Sequence, residues 1–232
     1  GRIPVIAGTG ANATAEAIEL TRAAMEAQAD AALLVSPYYN KPTQEGLFQH
    51  YSAIADACHF PIILYNVPGR TSGDILPETV ARLAERPCIV GVKEASGKVD
   101  RVAEILHLCG TRDASIEVYS GDDGAALAAM AIGARGVISV TANVVPRAMA
   151  QMASAALDGD FARARRINDA LVPLHRDLFA ESNPIPAKWL LADQQRVGPT
   201  IRLPLTPLSE SLHARLRAAL EYASNAPLSP AS

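Results

Sequence analysis

Residues 88–94 read Cys-Ile-Val-Gly-Val-Lys-Glu, an apolar run closed by a lysine and a glutamate. A continuous apolar run of this length is a strand buried on both faces, as in a parallel sheet covered by helices, whereas a half-exposed antiparallel strand alternates apolar with polar residues. Similar Val- and Ile-rich runs occupy residues 3–7, 32–35, 61–65, 116–119 and 136–140. Between them, residues 14–28, 44–57, 77–84 and 99–109 carry Ala, Glu, Leu and Arg at helical spacing. The order βαβα therefore predicts a parallel α/β sheet. After residue 140 the pattern turns helical only, over 146–157, 160–178, 186–194 and 208–223, with a tail at 224–232 expected to fray.

Strand starts recur every 20 to 30 residues, which suits either an open doubly wound sheet or a (β/α)8 barrel. Six strands fall short of the usual eight, so the barrel reading expects about two βα units before Gly1. Periodicity alone leaves both open.

Composition narrows the classes of function. The 232 residues are 49% hydrophobic, 19% charged and 5% aromatic, which excludes disorder, collagen and coiled coil. With 24 acidic and 21 basic residues the net charge is −3, so no basic surplus exists to neutralise a nucleic-acid backbone. No apolar run long enough for a membrane span occurs, nor a leader pattern at the front, and a cytoplasmic location is expected. Cys58, Cys88 and Cys109 are far apart and outside any metal-ligand spacing, so they are expected as reduced thiols. The five histidines pair with nothing in a metal-binding or nucleophile-activating pattern, and no metal site is expected.

Chemistry-bearing residues cluster where strands end, the position at which α/β enzymes keep their active sites. The first strand runs into Gly8-Thr9-Gly10-Ala11-Asn12-Ala13, which fits a dinucleotide-binding turn. That fingerprint also wants an acid at the end of the next strand, where Ser36-Pro37-Tyr38 stands, so a glycine turn allowing close backbone approach is the favoured reading. Tyr38 and Tyr39 form an adjacent pair on a loop, the mark of packing or of an interface. The third strand ends in Tyr65-Asn66-Val67-Pro68-Gly69-Arg70-Thr71, presenting a phenol and a guanidinium.

Only four lysines occur, at 41, 93, 98 and 188, and Lys93 alone closes an apolar strand. Desolvating an ammonium is costly, and the same desolvation frees an amine to attack a carbonyl and form a Schiff base. The bland alternative is a lysine that snorkels to solvent or pairs with Glu94. Asp122 and Asp123 follow the fifth strand without further ligands beside them, and N-capping of the next helix is the expected duty.

Taken together, GTGANAT, SPYYNKPTQEG, YNVPGRT, GVKEASG, YSGDD and GVISVTAN, in this order, resemble the dihydrodipicolinate synthase family, over residues 1 to about 207. This is one of the pyruvate-dependent class I aldolases, which also include N-acetylneuraminate lyase. The resemblance implies a (β/α)8 TIM barrel, here expected without its first two βα units, over residues 1–157 as a partial barrel of six units, with a C-terminal helical domain over 158–232. It implies that Lys93 forms an imine with pyruvate, that the derived enamine attacks L-aspartate 4-semialdehyde, and that ring closure gives 4-hydroxy-tetrahydrodipicolinate on the diaminopimelate route to lysine. No metal or organic cofactor is implied.

By the same resemblance Tyr65 relays protons and Tyr39 completes the site of a neighbouring subunit. Arg70 binds the semialdehyde carboxylate, an arginine that the sialic-acid lyases lack, and Gly121 and Ile138 line the pyruvate pocket. Asn12, Glu16 and Tyr38 match positions that contact inhibitory L-lysine, and a homotetramer built as a dimer of dimers is implied. The family's Gly-Thr-Thr-Gly-Glu turn does not occur in the 232 residues. The alternatives are accordingly a non-catalytic fragment, or another pyruvate-dependent aldolase of the N-acetylneuraminate lyase type.

Overall fold

A computed structural model describes residues 1–112 and 114–228; the rest of the expected frayed tail, 229–232, lies outside the described residues. In chain order the elements are β1 (Ile6–Gly8), α1 (Thr14–Glu26), β2 (Ala31–Val35), α2 (Gln44–Cys58), β3 (Ile62–Asn66), α3 (Pro68–Thr71), α4 (Pro77–Ala84), β4 (Ile89–Glu94), α5 (Asp100–Gly110), β5 (Glu117–Ser120), α6 (Ala126–Ala131), β6 (Gly136–Val137), α7 (Pro146–Leu157), α8 (Phe161–Asp177), α9 (Ile185–Asp193) and α10 (His213–Ser224). Prolines open α3, α4, α7 and α9, where their missing N–H costs nothing and their fixed φ suits the first turn. Side chains cap two others: Thr43 accepts from Gly46 N at 3.1 Å to start α2, and Asp160 from Arg163 N at 2.9 Å to start α8.

All strand pairs are parallel and the sheet order is β1-β2-β3-β4-β5-β6. A doubly wound sheet reverses its strand order at a switch point, and this sheet does not, so the dinucleotide-binding alternative is overturned and the fold is TIM-barrel-like α/β. Gly10 has the packing duty instead: a Cβ there would fall 2.4 Å from Val35 N, so only glycine lets the β1 turn lie against β2.

Two strands are shorter than the sequence predicts. Ile3 and Val5 stay 76% and 54% exposed, and the ladder begins only at Ile6 opposite Ala31, because Asp30 takes the Val5 N–H on its carboxylate at 2.7 Å. The sixth strand stops at Val137 rather than at residue 140. There the Asp123 carboxylate accepts from Val140 N at 3.1 Å and Thr141 N at 2.8 Å, drawing the backbone into a 3₁₀ turn over Thr141–Asn143. Asp123 thus ties down this turn with its side chain, a correction to the expected N-cap.

Contacts divide the chain into two compact units, residues 1–122 with 132–137, and residues 123–131 with 138–232. The first holds the whole sheet; α1, α2, α4 and α5 pack in sequence beside one another, and Ala32, Leu34, Ile62, Leu64, Val92 and Val118 are among the buried strand residues. The second is helical: α8 packs on α7 and α10, and its Ile167, Leu171 and Leu174 are fully buried. Its buried Asp177 is neutralised by Arg176 and Arg215, each at 2.6 Å.

Candidate active site

Strand residues alternate between faces, so the buried residues Leu34, Leu64, Val92 and Val118 leave their neighbours on the opposite side. Those neighbours, Val35, Tyr65, Lys93 and Tyr119, are register partners in one row across β2, β3, β4 and β5, and each is half-buried. The row lies near the carboxyl ends of its strands. Within it the Lys93 Nζ sits over the Tyr65 ring, 4.1 Å from the centroid. The amine and the phenol predicted from separate strands are therefore brought together.

Gly121 follows β5 and the Lys93 side chain passes across it. A Cβ on Gly121 would lie 2.9 Å from Lys93 Cε, 3.2 Å from Lys93 Cγ and 2.5 Å from Ala95 Cβ, so the lysine's path exists because this residue has no side chain. Burial pushes the Tyr65 phenol above its usual range, and the Arg70 charge pulls it partly back. The phenol therefore stays protonated at neutral pH, ready to donate. Arg70 lies on the short helix α3, directly after Tyr65's strand, and is exposed. Burial likewise raises Tyr119, and Glu117 adds to the shift.

Glu94 faces away from Lys93. Its carboxylate accepts from Ser96 N at 2.7 Å and Asn66 Nδ2 at 3.0 Å, and lies 3.4 Å from Arg101 Nε. The expected bland pairing of Lys93 with Glu94 is thereby corrected, since adjacent strand residues cannot share a face.

The remaining site residues fall in three places. Tyr39 stands on the loop after β2 with φ 75° and is 89% exposed, its N–H on Thr71 O at 3.4 Å. Asn12 and Tyr38 are brought together, Asn12 Nδ2 donating to Tyr38 O at 3.3 Å, while Asn40 Nδ2 donates back to Asn12 O at 2.9 Å. Glu16 lies in the first turn of α1 and is exposed, four residues beyond Asn12. Ile138 follows β6, half-buried, and belongs to the second unit. Among the described residues no cluster of three His, Cys, Asp or Glu could hold a metal ion, and no helix is long and apolar enough to cross a membrane. Cys58, Cys88 and Cys109 are free thiols.

Reading the sequence missed Tyr119, register partner of Lys93, and the linked set Asn66, Asp74 and Arg101, of which Asn66 and Arg101 are buried. A signal existed for the set: Asn66 and Glu94 directly follow Tyr65 and Lys93, so strand alternation puts both on the buried face, where polar groups need partners.

The family model of the Dihydrodipicolinate synthetase family matches residues 1–223. This chain belongs to the dihydrodipicolinate synthetase family. A curated family member, the 4-hydroxy-tetrahydrodipicolinate synthase of Acidithiobacillus ferrooxidans, is 74% identical over 223 residues, covering 96% of this chain and 76% of the relative. Among solved family structures, the chloride-inhibited dihydrodipicolinate synthase of Acinetobacter baumannii, complexed with pyruvate, superposes with a TM-score of 0.92 at 54% identity, covering 96% of this chain and 76% of its own. The synthase of Cyanidioschyzon merolae with lysine bound gives a TM-score of 0.88 at 41% identity, over 95% and 74% of the two chains.

Proposed function

We propose that this chain is a lyase that condenses pyruvate with L-aspartate 4-semialdehyde to give 4-hydroxy-tetrahydrodipicolinate, in the diaminopimelate route to lysine. The observation that carries the reading is the seating of the Lys93 amine over the Tyr65 ring, 4.1 Å from its centroid, at the carboxyl ends of neighbouring strands. Relatives at up to 74% identity bear the name of that synthase, which supports it over the other aldolases.

In this reading the Lys93 amine attacks C2 of pyruvate and water leaves, forming an iminium. The iminium draws the electrons of a C3–H bond as the proton departs, and the resulting enamine forms a carbon–carbon bond to the aldehyde carbon. The semialdehyde's own amine then adds to the imine carbon, closing the ring and releasing Lys93. Tyr65, protonated at neutral pH, gives and takes the protons of these steps. Arg70 offers a guanidinium fork to the semialdehyde carboxylate, and Gly121 lines the pyruvate pocket.

The exposed Tyr39 completes the site of a second subunit, within a homotetramer made of two dimers. Asn12, Glu16 and Tyr38 form the site for inhibitory L-lysine, in keeping with a relative solved with lysine bound. The enzyme works in the cytoplasm and uses no cofactor. The six strands are the third to eighth of an eight-stranded barrel, in keeping with the 76% share of the relatives' length that the chain covers, with the barrel ending near residue 157 and a helical domain beyond.

Pyruvate consumption tests the reading: the chain should remove pyruvate only when the semialdehyde is present, and no consumption with both substrates would refute it. Arg70→Ala separates this synthase from other pyruvate-dependent aldolases. It should cut condensation by about 10²-fold while leaving pyruvate imine formation within about twofold, the loss of one charge-assisted contact. An unchanged condensation rate would point to a different aldehyde.

A further inference from the structure

Behind the row that carries Tyr65 and Lys93 lies a closed polar ring. Asn66 and Glu94 are register partners at the ends of β3 and β4 and are 0% and 5% exposed. Asn66 Nδ2 donates to Glu94 Oε2 at 3.0 Å and to Asp74 Oδ1 at 2.9 Å, and its Oδ1 accepts from Ile75 N at 3.0 Å. Arg101, in the first turn of α5 and 6% exposed, donates from Nη1 to Asp74 Oδ2 at 2.9 Å and from Nη2 to Ile75 O at 2.6 Å. Its Nε lies 3.4 Å from Glu94 Oε2, an ion pair without hydrogen-bond geometry. One guanidinium thus serves two carboxylates, and each ring member holds two others.

The ring's backbone reaches the site directly. Glu94 O accepts from Gly121 N at 2.7 Å, and Asn66 O from Ala95 N at 2.9 Å, so the ends of β3, β4 and β5 are joined one residue beyond the Tyr65–Lys93–Tyr119 row. Without Arg101 the buried Glu94 carboxylate would stand uncompensated near Asp74, and the strand end that carries it would shift to expose it.

We propose that Arg101 is a positioning residue: acting through Glu94 and Asn66, it fixes the strand ends that carry Lys93 and Tyr65 and so holds the amine over the phenol ring. The inference rests on Lys93 being the imine-forming amine. Lysine cannot take the role, because Arg101 uses three nitrogens in three directions and an ammonium is a single point charge.

The test compares Arg101→Lys and Glu94→Gln with the unaltered chain in two measurements. Competitive acetylation across pH follows Lys93 against Lys41, Lys98 and Lys188 in the same digest, and borohydride trapping follows the rate of imine formation with pyruvate. Both variants should displace the Lys93 labelling profile and leave the other three lysines in place. Trapping should slow by about 10²-fold, the scale set by a small misplacement of reacting groups, with little change in the pyruvate concentration that saturates it. Glu94→Gln keeps the side chain's size and carries the test alone should Arg101→Lys not fold. A merely structural role would reduce the folded fraction yet leave its Lys93 profile unmoved; that result, or an unchanged trapping rate in a folded variant, overturns the proposal. An unaltered chain that traps no pyruvate, beside variants that displace the Lys93 profile, would sink the imine reading and uphold the positioning.

Discussion

The Lys93 side chain lies across Gly121, whose missing Cβ would otherwise stand 2.9 Å from Lys93 Cε. The far end of a lysine could yield, but the same Cβ would meet Ala95 Cβ at 2.5 Å, and that group is fixed to the backbone. Gly121→Ala should therefore push the Lys93 stem and the 95–96 turn apart. The expected outcome is a stability loss of about 1–3 kcal/mol by urea unfolding, together with imine formation slowed at least about tenfold. Wild-type trapping with the alanine in place would show that the lysine does not need this path.

Tyr65→Phe removes the hydroxyl and retains the ring on which the Lys93 amine rests. Pyruvate turnover should fall by about 10²-fold or more, the usual contribution of a positioned proton donor, while stability stays within about 1 kcal/mol. Turnover equal to wild type would remove Tyr65 from the proton path.

His50 supplies a pH signature of folding. It is 6% exposed, its Nδ1 lies 2.9 Å from Thr14 Oγ1, and burial lowers its pKa from 6.5 to about 4. Below pH 6.5 the unfolded chain takes up a proton that the folded chain refuses until about pH 4. Its contribution is therefore complete above pH 6.5 and is lost as pH falls through about 4, in total about 3 kcal/mol. His50→Gln should flatten this window, read as a smaller difference between urea unfolding free energies at pH 7 and pH 4.5. A variant with the unaltered chain's pH dependence would assign the acid sensitivity elsewhere.

Much of this architecture was legible because buried parallel strands and amphipathic helices leave strong patterns. The helices over 77–84 and 146–157 begin and end where their prolines and apolar faces place them. Lys93 stood out because an apolar strand closed by an amine is costly unless the amine has a use. What could not be read was set by distant partners. The sixth strand stops early because Asp123 captures the N–H groups of Val140 and Thr141, a contact across 17 and 18 positions. The role of Arg101 was hidden for the same reason, since its partners Asp74 and Glu94 come from different loops and strands.

Tyr39 carries a backbone cost without a visible return within one chain. Its φ of 75° is a conformation that a bulky residue adopts at a cost of about 1 kcal/mol or more, yet the side chain is 89% exposed. A second copy of the chain would supply the burial. Tyr39→Gly should leave the folding free energy unchanged or raised by up to about 1 kcal/mol, and should shift a dimer toward monomer in sedimentation. A variant that dimerises as the unaltered chain does would exclude Tyr39 from the contact.

Borohydride trapping decides whether Lys93 forms an imine with pyruvate beside Tyr65. The chain is incubated with pyruvate, reduced, and mapped by peptide mass, with Lys93→Ala as control. One adduct is expected, on Lys93, absent from the control. An adduct on Lys41, Lys98 or Lys188 instead, or none on Lys93, would contradict that assignment.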